Sequence, residues 1–114
     1  MTTYAITPVP KPRQTRRDKW EKRDCVMRYR AFADEVRLLG IEVDHNSKIV
    51  FVLPMPKSWS KKKQEENDGW PHIQTPDIDN LVKALFDAVY KNDSHIWRVN
   101  AEKRWGYKGS ITVL

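Results

Sequence analysis

The chain has little of what several protein classes require. Among its 114 residues there is one cysteine, Cys25, so no intrachain disulfide can form and no cluster of thiolate ligands can bind zinc. It has no apolar run approaching the ~20 residues that cross a membrane, and its first residues lack the apolar core of a signal peptide. We therefore expect a cytoplasmic protein that makes no contact with a membrane.

Acidic residues are also scarce near the N-terminus. Residues 1–30 carry nine Lys or Arg against three Asp or Glu, and this excess accounts for the whole formal net charge of +6. A basic segment favours a polyanionic partner, because each cation placed against a phosphate releases condensed counterions. The same charges also suit a simple solvated surface. Charge alone leaves both interpretations open.

A basic arm is expected at about residues 8–19. Prolines at positions 8, 10 and 12 interrupt regular structure there. An extended arm presents its cations without burying them, which suits contacts with the DNA backbone; an unstructured solubilising tail is the alternative. The cations of this arm that we predict to contact DNA are Lys11, Arg13, Arg16 and Arg17.

The apolar spacing indicates strands and helices without a domain boundary, and we expect one α+β domain over residues 1–114, a mixed sheet with two main helices packed on it. Helical spacing over about 18–39, with Gly40 as its stop, predicts the first helix, and residues 77–90 predict the second. Strands are predicted at 3–8, 49–53, 96–105 and 110–114. Residues 58–66 fit either a short capped helix or a loop.

Carboxylates cluster around the second helix. The Thr75-Pro76 pair keeps the chain before the helix non-helical, so Asp77 and Asp79 lie at its mouth. Convergent carboxylates bind Mg2+ or Mn2+, and these ions activate water for phosphodiester cleavage. A straight helix of ~12 residues is ~18 Å long. Asp93 therefore reaches this site only if the loop, the next strand or a partner subunit carries it back.

The same residues also have a purely structural interpretation. Acidic side chains in a first turn cap free N–H groups and interact favourably with the helix dipole. Lys83, one turn after Asp79, either neutralises the scissile phosphate or forms an ion pair with Asp79 that contributes roughly 0.5 kcal/mol. Asp87 is interpreted as an ordinary charged residue on the exposed face of the helix, without a catalytic role. The residue types alone do not distinguish the catalytic from the structural interpretation.

Three further side chains are candidates for DNA contacts. Lys103, on the strand predicted at 96–105, is expected to face DNA or the metal site, with an edge-strand charge as the alternative. Trp59 or Trp70 could stack on exposed bases, although core packing or loop anchoring is favoured for both. We interpret His72 as a surface loop residue outside the catalytic set.

Residues 75–89 read Thr-Pro-Asp-Ile-Asp-Asn-Leu-Val-Lys-Ala-Leu-Phe-Asp-Ala-Val and are followed by Asn92-Asp93-Ser94 and Ile96. This pattern resembles the signature of the RusA family of Holliday-junction resolvases. A Pro-Val-Pro-Lys-Pro-Arg segment at 8–13, a Pro-Met-Pro-Lys-Ser-Trp-Ser segment at 54–60 and Lys103 follow the family order, so the resemblance spans nearly the whole chain. Two departures are Thr75, where many relatives have a basic residue, and a short connection to Asp93.

The resemblance implies a RusA-like fold and a homodimeric, Mg2+-dependent endonuclease, for which Mn2+ can replace Mg2+. Such an enzyme makes paired, symmetric nicks across a four-way DNA junction in recombination and repair. Asp77, Asp79 and Asp93 match the catalytic metal-binding positions, and Lys83 matches the catalytic lysine. Two alternatives stay open: a basic protein that binds DNA without cleaving it, and a nuclease for flaps, other branched DNA or single strands.

Overall fold

The computed structural model describes residues 1–12 and 24–114. The predicted DNA contacts Arg13, Arg16 and Arg17 lie outside the described residues, as do residues 18–23 of the predicted first helix. Within the described ranges the elements are β1 (Thr2–Tyr4), α1 (Asp24–Leu39), β2 (Lys48–Pro54), α2 (Lys61–Asn67), α3 (Ile78–Val89), β3 (Asn100–Gly106) and β4 (Ser110–Val113).

The strands form one mixed sheet in the order β1-β4-β2-β3. Strand β4 pairs antiparallel with β1 and β2, whereas β2 and β3 are parallel. Parallel neighbours need a crossover connection, and α3 lies within the connection from β2 to β3. Helix α1 packs against α3. This arrangement confirms the predicted α+β class and mixed sheet, with the short helix α2 added to the two main helices.

The core lies between the sheet and the two long helices. Alternate residues of β2, Ile49, Phe51 and Leu53, are buried, because successive side chains of a strand point to opposite faces. Helix α3 buries residues at helical spacing, including Leu81 and Leu85. The largest fully buried side chains are Phe51, Ile49, Leu81, Leu85, Ile111 and Val36.

Helix α1 ends where the sequence predicts. Gly40 has a φ of 64°, a left-handed conformation that costs glycine no steric strain. Its N–H donates to the Arg37 carbonyl at 3.2 Å, and the Ile41 N–H donates to the Val36 carbonyl at 3.3 Å. This pair of bonds is the Schellman arrangement, which satisfies carbonyls that the helix itself leaves free.

Other predicted boundaries need correction. Strand β1 ends at Tyr4 rather than residue 8, and β3 begins at Asn100 rather than 96. Ile96 is instead part of a turn, with its N–H on the Asp93 carbonyl at 2.9 Å. In segment 58–66 the helical alternative is correct from residue 61, and Ser60 caps α2 by accepting from the Lys63 N–H at 3.1 Å. Within the described ranges, no helix has both the length and the apolar character needed to cross a membrane.

Candidate active site

Asp77 occupies the N-cap position of α3, but its carboxylate makes no capping hydrogen bond. Its backbone carbonyl accepts from the Leu81 N–H at 3.2 Å and so starts the helix. Asp77 and Asp79 are both exposed. The capping interpretation therefore does not account for the Asp77 side chain, which is exposed and accessible to a ligand.

Asp79, Lys83 and Asp93 line one open cavity of about 400 Å3. Asp79 and Lys83 are one turn apart on α3, which places them on the same face. All three are exposed. Among the ion pairs between described residues there is none between Lys83 and Asp79, so the structural role considered for Lys83 is not observed.

The return of Asp93 depends on the chain that follows α3. The Ser94 N–H donates to the Asn92 side-chain oxygen at 2.9 Å, and the Ile96 N–H donates to the Asp93 carbonyl at 2.9 Å. Ile96 is half-buried and packs against the hydrophobic core. This contact turns the chain back along α3, because an apolar side chain gains free energy by leaving water. The loop thus carries Asp93 back to the Asp79 and Lys83 face.

Asp77 lines a separate cavity of about 510 Å3 rather than that of Asp79 and Asp93. This second cavity is lined by Asp77, Lys11 and Asn80, together with apolar groups of the arm and of β2. Within residues 1–12 and 24–114, no group of three or more His, Cys, Asp or Glu side chains is arranged to hold a metal ion. The structure thus brings two of the three predicted carboxylates to one cavity and places the third at a separate one.

Lys11 is attached to α3 by two bonds. Its ammonium donates to Asp87 Oδ2 at 2.5 Å, and its backbone N–H donates to the Asn80 carbonyl at 3.0 Å. The hydrogen bond with Asp87 raises the pKa of Lys11 above its ordinary value, and the charge of Asp93 adds to that increase. Asp87 is therefore more than a solvated helix charge, a role that its sequence position does not indicate.

Lys103 also binds protein atoms. Its ammonium donates to the Pro76 carbonyl at 2.7 Å and to the Gln74 carbonyl. Both carbonyls belong to the loop that precedes Asp77, in which the Thr75–Pro76 peptide bond is cis. The ammonium thus binds the backbone of the loop that leads to Asp77, and the expected contact of Lys103 with DNA or the metal site stays a prediction.

The interpretation of His72 as a surface residue is wrong. Only 4% of His72 is exposed, and its ring centroid lies 4.0 Å from that of Trp105. Burial, followed by the charge of Lys103, lowers the pKa of His72 from its ordinary value of 6.5. Trp59 also packs against Trp105, with 4.7 Å between the ring centroids. This contact agrees with the favoured anchoring role of Trp59. Trp70 is 63% exposed, so it is not a core residue.

The sequence is similar to known proteins over part or nearly all of its length. A 69-residue segment is 36% identical to the uncharacterized protein YqaN of Bacillus subtilis (strain 168), and the alignment covers 54% of this chain and 49% of YqaN. The chain therefore spans about half the length of this relative. The family model described as endodeoxyribonuclease RusA matches residues 5–114, a range that includes β2, α3 and every carboxylate discussed above. The chain belongs to the RusA endodeoxyribonuclease family.

Proposed function

We propose that this protein is a Mg2+-dependent endonuclease that resolves four-way DNA junctions by paired, symmetric nicks during recombination and repair. The observation that carries the proposal is the cavity shared by Asp79, Lys83 and Asp93; the exposed carboxylate of Asp77, at the N-cap of the same helix, makes no capping hydrogen bond. Membership of an endodeoxyribonuclease family supports the same chemistry. Carboxylates and an ammonium beside one another are what phosphodiester hydrolysis requires.

The donor set fits Mg2+, and Mn2+ can replace it. Every donor is an exposed carboxylate oxygen, the type of ligand that these hard ions prefer. Mg2+ keeps several waters and is usually held by one or two carboxylates together with substrate phosphates. An open site in which Asp79 and Asp93 line one cavity suits that mode of binding. When bound, the ion would supply an activated water and neutralise charge on the phosphate.

The remaining steps belong to side chains of this chain. Asp77, Asp79 and Asp93 would orient the ion and the scissile phosphate. Lys83 would donate to a non-bridging phosphate oxygen, where negative charge grows as the water attacks. Its exposed position on α3, without an ion pair to Asp79, leaves its donors available for this role.

Paired nicks on opposite strands require two such sites. Each chain contributes one set of catalytic carboxylates with Lys83, so we propose that the protein acts as a homodimer with one site per subunit. Arg13, Arg16 and Arg17 would hold the junction through its phosphates, since cationic side chains bind the DNA backbone without reading its sequence. Light scattering of the protein in solution tests the dimer directly, and a monomer on junction DNA would contradict it.

The first experiment compares nicking of a mobile four-way junction, a linear duplex, a flap and a single strand in Mg2+. Wild type should nick the junction at symmetric positions and leave the duplex intact. Asp79→Asn should abolish nicking because it removes a ligand charge. The matched control is Asp34→Asn, an exposed aspartate on α1, which should nick as wild type does.

Two other results would identify different functions. Junction binding without any metal-dependent nicking would mean a DNA-binding protein that no longer cleaves. Cleavage of flaps or single strands as fast as junctions would mean a nuclease of broader substrate range. Both outcomes would reject junction resolution.

A further inference from the structure

The loop that leads to Asp77 is attached to the outer edge of β3. The Gly69 N–H donates to the Trp105 carbonyl at 2.9 Å, and the His72 N–H donates to the Lys103 carbonyl at 3.0 Å. These bonds satisfy backbone groups that an edge strand would otherwise expose. The last of these backbone hydrogen bonds between the loop and β3 is made by His72, five residues before Asp77.

The side chain of Lys103 continues the attachment beyond that point. Pro76 has no N–H, so the backbone has fewer donors with which to extend the pairing. An ammonium group carries three donors and no acceptor. The Lys103 ammonium donates to the Gln74 and Pro76 carbonyls, and it thereby joins the middle of β3 to the residue that immediately precedes Asp77.

His72 forms a second contact with the same loop. Its buried ring packs on Trp105, and its Nδ1 accepts from the Gln74 N–H at 3.4 Å. The N–H of Gln74 is therefore held by His72 and its carbonyl by Lys103. With the peptide groups on both sides of Gln74 held in this way, the path of the chain into Asp77 depends on where Lys103 places the Pro76 carbonyl.

We propose that Lys103 is a positioning residue of the endonuclease reaction, which sets the place of the Asp77 carboxylate through the Gln74 and Pro76 carbonyls instead of contacting DNA. The inference rests on the proposed function of Asp77. Two of the three donors of the Lys103 ammonium are already used by these carbonyls. A displacement of a catalytic group by ~1 Å can lower a rate about 100-fold, so loss of Lys103 acts on chemistry and not on DNA affinity.

The test uses Lys103→Met, which keeps the alkyl stem and removes all three donors. Its matched control is Lys108→Met, an exposed lysine in the turn between β3 and β4. At saturating junction, Lys103→Met should nick about 10- to 100-fold more slowly and need more Mg2+ for half-maximal rate. Junction binding in Ca2+ should stay unchanged. Lys103→Arg restores donors and should recover part of the rate.

Amide hydrogen exchange gives a readout that needs neither DNA nor metal. Amides of residues 73–79 should exchange faster in Lys103→Met than in wild type, while the control matches wild type. If wild type cleaves no DNA, the proposed function fails, yet this exchange measurement still decides the positioning role.

Two results would overturn the inference. One is unchanged exchange over residues 73–79 in Lys103→Met. The other is weaker junction binding, with the slope of log affinity against log salt reduced by about one and an unaltered Mg2+ requirement. That second pattern would make Lys103 a phosphate contact.

Discussion

The Lys11–Asp87 ion pair should stabilise the fold measurably by attaching the start of the basic arm to α3. Lys11 Nζ and Asp87 Oδ2 are 2.5 Å apart, and each side chain is 31% exposed. The Tyr29 hydroxyl donates to the same oxygen at 3.4 Å. Exposed ion pairs couple by about 0.2–1 kcal/mol, and hydrogen bonds to charged groups contribute about 1.5–3 kcal/mol. For a pair at intermediate burial we expect a coupling energy of about 1–2 kcal/mol.

A double-mutant cycle with Lys11→Met and Asp87→Asn, measured by urea unfolding, isolates this coupling. The matched control is the Arg37–Asp34 pair on α1, at 3.5 Å with side chains 58% and 76% exposed, for which we expect about 0.3 kcal/mol. A coupling for Lys11–Asp87 no larger than that of the control pair would refute the reasoning. Part of the coupling should also disappear at high salt, since a pair at this exposure is partly screened.

Two further predictions concern single side chains. Lys83→Met should lower the nicking rate at saturating junction by about 100-fold or more, because one donor to developing charge is lost, while gel-shift affinity in Ca2+ stays near that of wild type; an equal loss of affinity would contradict a catalytic role. His72 has a lowered pKa, so below pH 6.5 the unfolded chain binds more protons than the folded one and stability falls. His72→Gln should flatten this fall in urea unfolding between pH 7.5 and pH 5, and an unchanged slope would refute it.

Local sequence patterns were enough to predict α3 and β2. Leu81 and Leu85 recur at helical spacing, and Ile49, Phe51 and Leu53 alternate along a strand. Both patterns follow from one buried face per element. Boundaries depend on more than pattern, and the predicted strand at 96–105 illustrates this. Its first residues alternate suitably, but Ile96 packs on the core from a turn, and strand pairing with β2 begins only at Asn100.

The position of Asp93 could be predicted only in part. Sequence spacing shows that Asp93 follows the helix, and helix length shows that a straight continuation would separate it from Asp79. The return depends on Ile96, whose burial requires the core that α3 forms with the sheet. No local pattern near residue 93 records that packing. The convergence of Asp79, Lys83 and Asp93 is therefore a property of the tertiary fold.

The burial of His72 is also a property of the tertiary fold. Its neighbours in sequence, Pro71 and Ile73, suggest a loop, and both are exposed. His72 is buried because segment 69–72 pairs with the outer edge of β3 and places the ring against Trp105. A prediction from sequence would have needed to recognise that β3 is an edge strand with an adjacent loop to cover it.

Two of the basic residues that the sequence singles out bind acceptors within the protein. Lys11 and Lys103 were both predicted to bind DNA, yet each ammonium is bonded to protein atoms, one to Asp87 and the other to the carbonyls of the loop before Asp77. Whether a cation meets a phosphate or a neighbouring acceptor is decided by tertiary contacts, since both partners satisfy the same donors. Both lysines lie beside segments that carry the candidate carboxylates. Their hydrogen bonds therefore attach the arm to α3 and the loop before Asp77 to β3, while the contact of Lys11 with DNA stays a prediction.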